Sequence, residues 1–155
     1  MAIEKVKQYF KSIGELDRLM EFEESTATVE LAAKAVGCEP GNIAKTISLF
    51  VEDKPILILL AGDVKIDNHK FKDTFHTKTK MIPIDEVEKY IGHAVGGVCP
   101  FAVNESVPIY LDKSLKRFKT IYPAAGNERS CIKLNIDELD KFIKYKDWVD
   151  VSKPK

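Results

Sequence analysis

Residues 43–61 read IAKTISLFVEDKPILILLA, and this stretch decides the fold class. Residues 43–51 are rich in β-branched side chains, residues 52–54 are polar and short enough for a turn, and residues 56–61 are continuously apolar. This pattern predicts two antiparallel strands that are joined by a tight turn. Because both strands are largely apolar, we expect the hairpin to lie at the centre of a sheet rather than at its surface.

Helical and extended segments alternate irregularly on both sides of this hairpin. Helices are predicted for residues 3–13, 29–36, 67–75, 84–91 and 136–143, and further strands for residues 19–22, 107–111, 120–122 and 130–134. Thr28 and Asn135 are the expected caps of two of these helices, and Gly37 is the expected end of one. Six or seven strands mixed irregularly with four or five helices favour the α+β class over regular βαβ winding.

Length and composition indicate one domain over residues 1–155, because 155 residues with 45% hydrophobic side chains suit one core and contain no repeat or flexible linker. The 24 basic residues balance the 24 acidic ones, which argues against a nucleic-acid coat or a polybasic membrane binder. No apolar run approaches the roughly 20 residues that span a bilayer, and no signal-peptide core follows the amino terminus. Three cysteines without CxxC spacing predict a reduced, cytoplasmic compartment.

Lys45 is the first candidate for a functional side chain. Strand side chains alternate between two faces, and Lys45 is the only charge on the face that carries Ile43, Ile47 and Leu49. A buried ammonium group is costly unless a polar or anionic group meets it. Two interpretations remain open: an edge strand from which Lys45 reaches water, or a lysine at the rim of a cavity for an anionic ligand group.

The second candidate is the loop GHAVGGVCPF at residues 92–101. Gly96 and Gly97 would let the backbone approach a ligand and donate N–H groups to a carbonyl or oxyanion, although a simple tight turn also fits the pattern. The loop lacks the phosphate-loop and dinucleotide-binding patterns. Cys99 near His93 could be a nucleophile, but a small buried thiol is the favoured interpretation. The three histidines have no ligand spacing, so no metal is predicted.

Basic residues concentrate in two segments, residues 65–80 and 113–119, whereas residues 15–24 are acidic. The basic segments could contact RNA phosphates, or they could be ordinary solvated faces.

Five motifs follow one another along the chain: TVE (28–30), IAKT (43–46), GHAVGGVCPF (92–101), TIY (120–122) and GN (126–127). In this order they resemble the YbaK family, also called the prolyl-tRNA synthetase-associated editing domain. The resemblance extends from about Tyr9 to Phe142. It implies a mixed β-sheet that curves into a partial barrel and is flanked by helices, with a cleft beside the lysine strand. It also implies hydrolysis of the ester that joins a mischarged amino acid to a tRNA, most often tRNA(Pro).

The same resemblance assigns roles to residues. The family's lysine matches Lys45, and its glycine–proline loop places the catalytic backbone N–H groups at Gly96 and Gly97. The implied substrate-binding residues are Phe22, Thr28, Thr46, His93, Val98, Cys99, Pro100, Asn127 and Cys131. The expected tRNA-binding residues are Lys70, Lys72, Lys116 and Arg117. No metal and no organic cofactor are implied, and the expected partners are the tRNA acceptor end and, transiently, prolyl-tRNA synthetase, without membrane or DNA.

Three departures from the family concern the choice of substrate. Members that act on cysteinyl-tRNA tend to carry a tyrosine and an acid where this chain has Phe22 and Cys131. The serine that is common in the family before the loop proline is Cys99 in this chain. Cysteine, alanine, serine, threonine and a nonprotein analogue therefore all stay open, as does the group that activates water. Coverage of the chain by the editing motifs predicts a freestanding, trans-acting deacylase. The alternative is a noncatalytic tRNA- or nucleotide-binding module that keeps the fold.

Overall fold

The computed structural model describes residues 2–93, 98–104 and 106–155. Its strands are β1 (Leu19–Glu21), β2 (Ile43–Val51), β3 (Lys54–Ala61), β4 (Val64–Ile66), β5 (Ile109–Asp112), β6 (Thr120–Pro123), β7 (Ser130–Ile132), β8 (Leu134–Asn135), β9 (Asp147–Val149) and β10 (Ser152–Pro154). Its α-helices are α1 (Ala2–Ser12), α2 (Val29–Val36), α3 (Asn68–Phe75), α4 (Val87–Ile91) and α5 (Leu139–Phe142). Short 3-10 helices lie at Leu16–Arg18, Pro40–Asn42, Ile84–Glu86, Lys113–Arg117 and Ile136–Glu138. The α+β class is confirmed.

The predicted hairpin forms the centre of the main sheet. Strands β2 and β3 pair antiparallel from Ala44 opposite Ala61 to Val51 opposite Lys54. The two turn residues, Glu52 and Asp53, both have positive φ angles, 51° and 63°. Such a turn matches the right-handed twist of the paired strands, which explains why a two-residue connection closes the hairpin.

Six strands form the main sheet in the order β8-β6-β2-β3-β5-β9. The β2–β3 and β6–β8 pairs are antiparallel, whereas β2–β6, β3–β5 and β5–β9 are parallel. The sheet curls into a half-barrel, and two small antiparallel pairs, β1–β7 and β4–β10, lie beside it. This architecture confirms the mixed, curved sheet with flanking helices that the family resemblance implied.

An aromatic cluster joins the amino-terminal helix to the rest of the core. The Phe10 ring of α1 lies 4.9 Å from the Phe101 ring in an edge-to-face arrangement and 5.8 Å from the Phe142 ring in a stacked one. The Tyr9 hydroxyl donates a hydrogen bond to the Phe142 carbonyl over 2.8 Å. Helix α1 therefore packs against both the 98–104 segment and α5, which closes one side of the core.

Helix α2 begins and ends where the sequence predicted. The Thr28 hydroxyl accepts a hydrogen bond from the Leu31 N–H over 3.2 Å, and Gly37 ends the helix with a φ of 84°. The Asn135 cap is also confirmed, with reciprocal hydrogen bonds to Glu138. Thr28 thus fixes the first turn of α2, and just before it the Thr26 N–H donates a hydrogen bond to the Glu128 carbonyl over 2.5 Å.

The predicted strand count of six or seven is wrong, since the described residues form ten strands. The predicted strand 130–134 is two strands, because the chain leaves β1 after Ile132 and pairs with β6 from Leu134. Strands β4, β9 and β10 were not predicted, because each has three residues and a mixed polar sequence. In the described parts of the chain, no helix has the length and apolar character that crossing a membrane requires.

Candidate active site

A cavity of about 300 Å³ lies beside β2 and the first turn of α2, and we call it the β2 cavity. Its described walls are residues 26–29, Ala32, residues 43–48, Met81, Ile82, Ile84, Val87, Val98, Tyr122, Ala124 and Cys131. Most of these side chains are apolar. The walls come from segments far apart in sequence, and Thr28 capping and β2 pairing fix two of them in place.

Lys45 supplies the only charged side chain among the described walls of the cavity. Its strand lies between β6 and β3 in the sheet, although β6 pairs only with Ile43 and Ala44, so β2 is not an edge strand and that interpretation is wrong. The half-buried ammonium group donates a hydrogen bond to the Val64 carbonyl in β4. Burial lowers the pKa of Lys45 to about 8, and the charge of Lys155 acts in the same direction, whereas Asp63 and Glu30 raise this pKa.

An arginine–carboxylate pair lies beside this lysine. Arg117 donates to both oxygens of Asp63, from Nη1 over 3.0 Å and from Nη2 over 2.5 Å. Its Nε donates to the Ser114 carbonyl over 2.9 Å. The hydrogen bonds from Arg117 are the main reason why the pKa of Asp63 is lowered, so this carboxylate is ionised at neutral pH.

Two hydroxyl groups in the walls find no hydrogen-bond partner in the described part of the chain. The Oγ1 atoms of Thr26 and Thr46 are buried and make no hydrogen bond within the described residues. Buried hydroxyls nearly always find a partner, so an unpaired one in a cavity wall suits a polar ligand. Thr46 was a predicted site residue, whereas Thr26 was missed, because its only signal in the sequence is its position two residues before a helix cap.

The structure brings five of the predicted side chains together at the cavity: Thr28, Lys45, Thr46, Val98 and Cys131. Phe22 and Asn127 are not among the described walls. Phe22 packs against a small apolar cluster that contains Cys131, and the side-chain oxygen Oδ1 of Asn127 accepts a hydrogen bond from the Ser130 hydroxyl over 2.7 Å. These two residues support the walls, and their role in binding stays a prediction.

His93 and Cys99 lie together in the core. The Cys99 sulfur is 3.5 Å from His93 Nε2, and the same nitrogen is 2.5 Å from the Phe101 carbonyl oxygen. Burial raises the pKa of Cys99 to about 12 and lowers that of His93. The thiol is therefore protonated at neutral pH, which favours the buried-thiol interpretation over a cysteine nucleophile.

The remaining loop residues lie elsewhere. Pro100 is buried and borders a second cavity of about 460 Å³ next to Tyr9 and Tyr145. Gly96 and Gly97 lie outside the described residues. The role predicted for their N–H groups stays a prediction.

Three of the four predicted tRNA-binding side chains have partners within the protein. Lys70 donates to Asp150 over 3.1 Å and to the Ser152 carbonyl over 2.9 Å, and the Lys116 ammonium lies 4.4 Å from the centre of the Trp148 ring. Arg117 holds Asp63, as described above. Lys72 lies on α3, and none of the four is among the described walls of the cavity. The described residues hold no group of three or more side chains suited to a metal ion.

The chain belongs to the aminoacyl-tRNA editing domain family, whose model matches residues 23–142. It is 44% identical to the uncharacterized protein YwhH of Bacillus subtilis over 154 residues, which cover 99% of this chain and 98% of that protein. It is also 29% identical over 127 residues to the proline–tRNA ligase of Aquifex aeolicus, covering 81% of this chain but only 22% of the ligase.

Among solved structures, the chain is similar to that of a candidate trans-editing enzyme for prolyl-tRNA synthetase. The TM-score is 0.86 at 27% sequence identity, and the match covers 98% of this chain and 97% of the other. Together with the family match, this similarity identifies the chain as a member of the YbaK-like editing proteins, as the motifs had indicated.

Proposed function

We propose that this protein is a trans-acting deacylase that hydrolyses the ester between tRNA(Pro) and a small noncognate amino acid. The observation that carries the proposal is a largely apolar cavity with one lysine ammonium group, within an aminoacyl-tRNA editing domain. Action as a separate polypeptide is supported by two relatives that match over nearly their whole length, YwhH and the candidate trans-editing enzyme.

The reaction does not require a nucleophilic or acid–base side chain. An aminoacyl ester is already activated, so the protein needs mainly to orient the ester and a water molecule and to stabilise the negative charge that develops on the carbonyl oxygen. Lys45 is the group proposed to hold the ribose or terminal phosphate of the tRNA. The N–H groups of Gly96 and Gly97 are proposed to polarise the ester carbonyl. Water is then activated by backbone groups or by a hydroxyl of the tRNA.

The β2 cavity suits a small side chain. Its volume of about 300 Å³ must hold the amino acid and part of the terminal ribose, which favours a small side chain. The described walls contain no carboxylate, so a cationic side chain finds no counter-ion there. Alanine, serine, threonine and cysteine all meet these conditions, and they are the substrates we propose.

Contact with the acceptor-stem phosphates of the tRNA is proposed for Lys70, Lys72 and Lys116. Two of them already have partners inside the protein, Lys70 with Asp150 and Lys116 with Trp148. These exposed interactions are weak, so a phosphate group can replace them at small cost. Arg117 differs, because two hydrogen bonds to Asp63 and one to Ser114 hold its guanidinium.

The test is hydrolysis of tRNA(Pro) charged separately with alanine, serine, threonine, cysteine and proline. We expect rapid release of one or more of the four noncognate amino acids and protection of the cognate prolyl ester. Binding of these tRNAs by folded protein without any turnover would refute the proposal and favour a noncatalytic binding module. Equal hydrolysis of an ester that carries no tRNA would instead indicate a general esterase.

A further inference from the structure

We propose that Arg117 is a positioning residue for Lys45: it holds Asp63, so that the Asp63 carboxylate does not capture the lysine ammonium group. The inference rests on the proposed deacylase function and assigns Arg117 a role other than contact with tRNA phosphates. Two charged residues outside the cavity walls would then control whether Lys45 is available to the substrate.

The geometry leaves Arg117 little freedom. Three of its nitrogens donate hydrogen bonds, two to Asp63 and one to the Ser114 carbonyl, over 2.5 to 3.0 Å. A bidentate arginine–carboxylate pair fixes both partners and satisfies both charges. A guanidinium held in this way is poorly suited to a tRNA phosphate, because the phosphate would have to displace a carboxylate that is already bound.

The turn that carries Arg117 is itself anchored in the core. The fully buried Asp112 carboxylate accepts hydrogen bonds from the Ser114 N–H over 2.9 Å, the Ser152 hydroxyl over 2.7 Å and the Val151 N–H over 2.9 Å. The Ser114 hydroxyl in turn accepts from the Ala61 N–H over 3.1 Å. The Lys113–Arg117 turn is therefore attached to the end of β3, next to the residue that Arg117 holds.

Asp63 is placed to compete for Lys45. It directly precedes Val64, whose carbonyl accepts the Lys45 hydrogen bond. A Cβ atom added at Gly41 would lie 3.1 Å from Asp63 Oδ2, so the carboxylate is confined between this glycine and Arg117. Lys45 itself forms no ion pair with a described carboxylate. Besides Arg117, Lys45 is the cation whose charge lowers the pKa of Asp63, so without Arg117 the uncompensated carboxylate would draw on Lys45.

The charges that face Lys45 come from three segments. Asp63 and Glu30 favour its charged form, and Lys155, which follows β10, disfavours it. Arg117 offsets the influence of Asp63. Removal of Arg117 is therefore expected to raise the pKa of Lys45 and to draw the ammonium group away from the substrate.

The experiment compares Arg117→Gln, Asp63→Asn and the double variant. We expect Arg117→Gln to lower kcat/KM about tenfold and the double variant to recover to within about threefold of wild type, because the competing carboxylate is then neutral. The apparent pKa of the alkaline limb of the pH–rate profile should rise in Arg117→Gln. In the double variant it should return to the wild-type value. Arg18→Gln is the matched control: it breaks the Arg18–Glu138 pair, outside the described cavity walls, and should not move the limb.

Failure of rescue would overturn the inference. A double variant as slow as Arg117→Gln, with raised KM, a weaker salt dependence and an unmoved limb, would show that Arg117 contacts tRNA. Equal losses of Tm and activity in both variants would show a purely structural pair. If the wild type deacylates no tRNA, NMR titration of the Lys45 side chain decides the question. The pKa must rise in Arg117→Gln and return in the double variant, and an unchanged pKa refutes the proposal.

Discussion

Substitution of Lys45 by methionine separates the charge of this residue from its aliphatic packing. Burial lowers the pKa of Lys45 from 10.5 to about 8. A change of this size corresponds to about 3 kcal/mol that disfavours the charged form in the folded protein, and partial exposure reduces it to roughly 1–2 kcal/mol. Below pH 8 both folded and unfolded chains carry the proton, so the folded state bears this cost. As the pH rises from 8 to 10.5 the folded chain loses the proton first, and stability increases.

The assay is urea unfolding of both proteins at pH 7 and at pH 10. Methionine also removes the hydrogen bond to Val64, but a neutral lysine can make that bond too, so its loss is similar at both pH values. We therefore expect Lys45→Met to be more stable relative to wild type at pH 7 than at pH 10, by roughly 1–2 kcal/mol. At pH 7 its kcat/KM for deacylation should fall on the order of 100-fold. A stability difference that does not depend on pH, or normal deacylation, would refute the reasoning.

Three further tests address the two unpaired threonine hydroxyls, the burial of Cys99 and the role proposed for Gly97. Thr26→Val and Thr46→Val should each raise stability by roughly 0.5–1.5 kcal/mol, because they remove a buried unpaired hydroxyl, yet raise KM; lower stability with unchanged kinetics would contradict this role. Iodoacetamide at pH 8 should modify the partly exposed Cys38 slowly in the native protein, because burial raises the pKa of this thiol, and reach Cys99 only after unfolding. Peptide mapping checks this, and native labelling of Cys99 would contradict its burial. Gly97→Ala should slow turnover with little change in Tm, because the added methyl group blocks access to the backbone N–H. Normal kinetics would contradict the role proposed for this N–H.

The parts of the fold that were predicted correctly depend on local pattern. The hairpin is visible because two long apolar runs flank three polar residues, of which Glu52 and Asp53 form the turn, and helix α2 is visible because Thr28 and Gly37 mark its ends. The short strands β4 and β10 were missed, because only their pairing with each other makes them strands. Residues as polar as Lys65 and Lys153 carry no strand signal of their own.

In the candidate site, too, local sequence pattern predicted some features, whereas others depend on tertiary contacts. The pattern on β2 marked Lys45 as unusual and left a cavity rim as one of two interpretations, and the structure has it in the wall of the β2 cavity, together with β2 residues of both parities. The Asp63–Arg117 pair could not be predicted, because its two residues are 54 positions apart in sequence. Sequence proximity also grouped Cys99 with the substrate loop, whereas the side chain is buried with His93 in the core. The motifs thus located the strand that carries Lys45, but the contacts that determine the protonation of Lys45 are tertiary.

Binding of a stable aminoacyl-adenosine analogue, with an amide in place of the ester, tests most directly whether the aminoacyl end occupies the β2 cavity. The measurement is an NMR titration of wild type, with methyl groups of Ile43, Ile47 and Val98 as probes of the cavity and those of Val103 and Ile109 as probes of the second cavity. The account predicts saturable shifts at the first set and a Kd at least tenfold weaker in Lys45→Met. Shifts confined to the second set, or equal affinity in the variant, would contradict it.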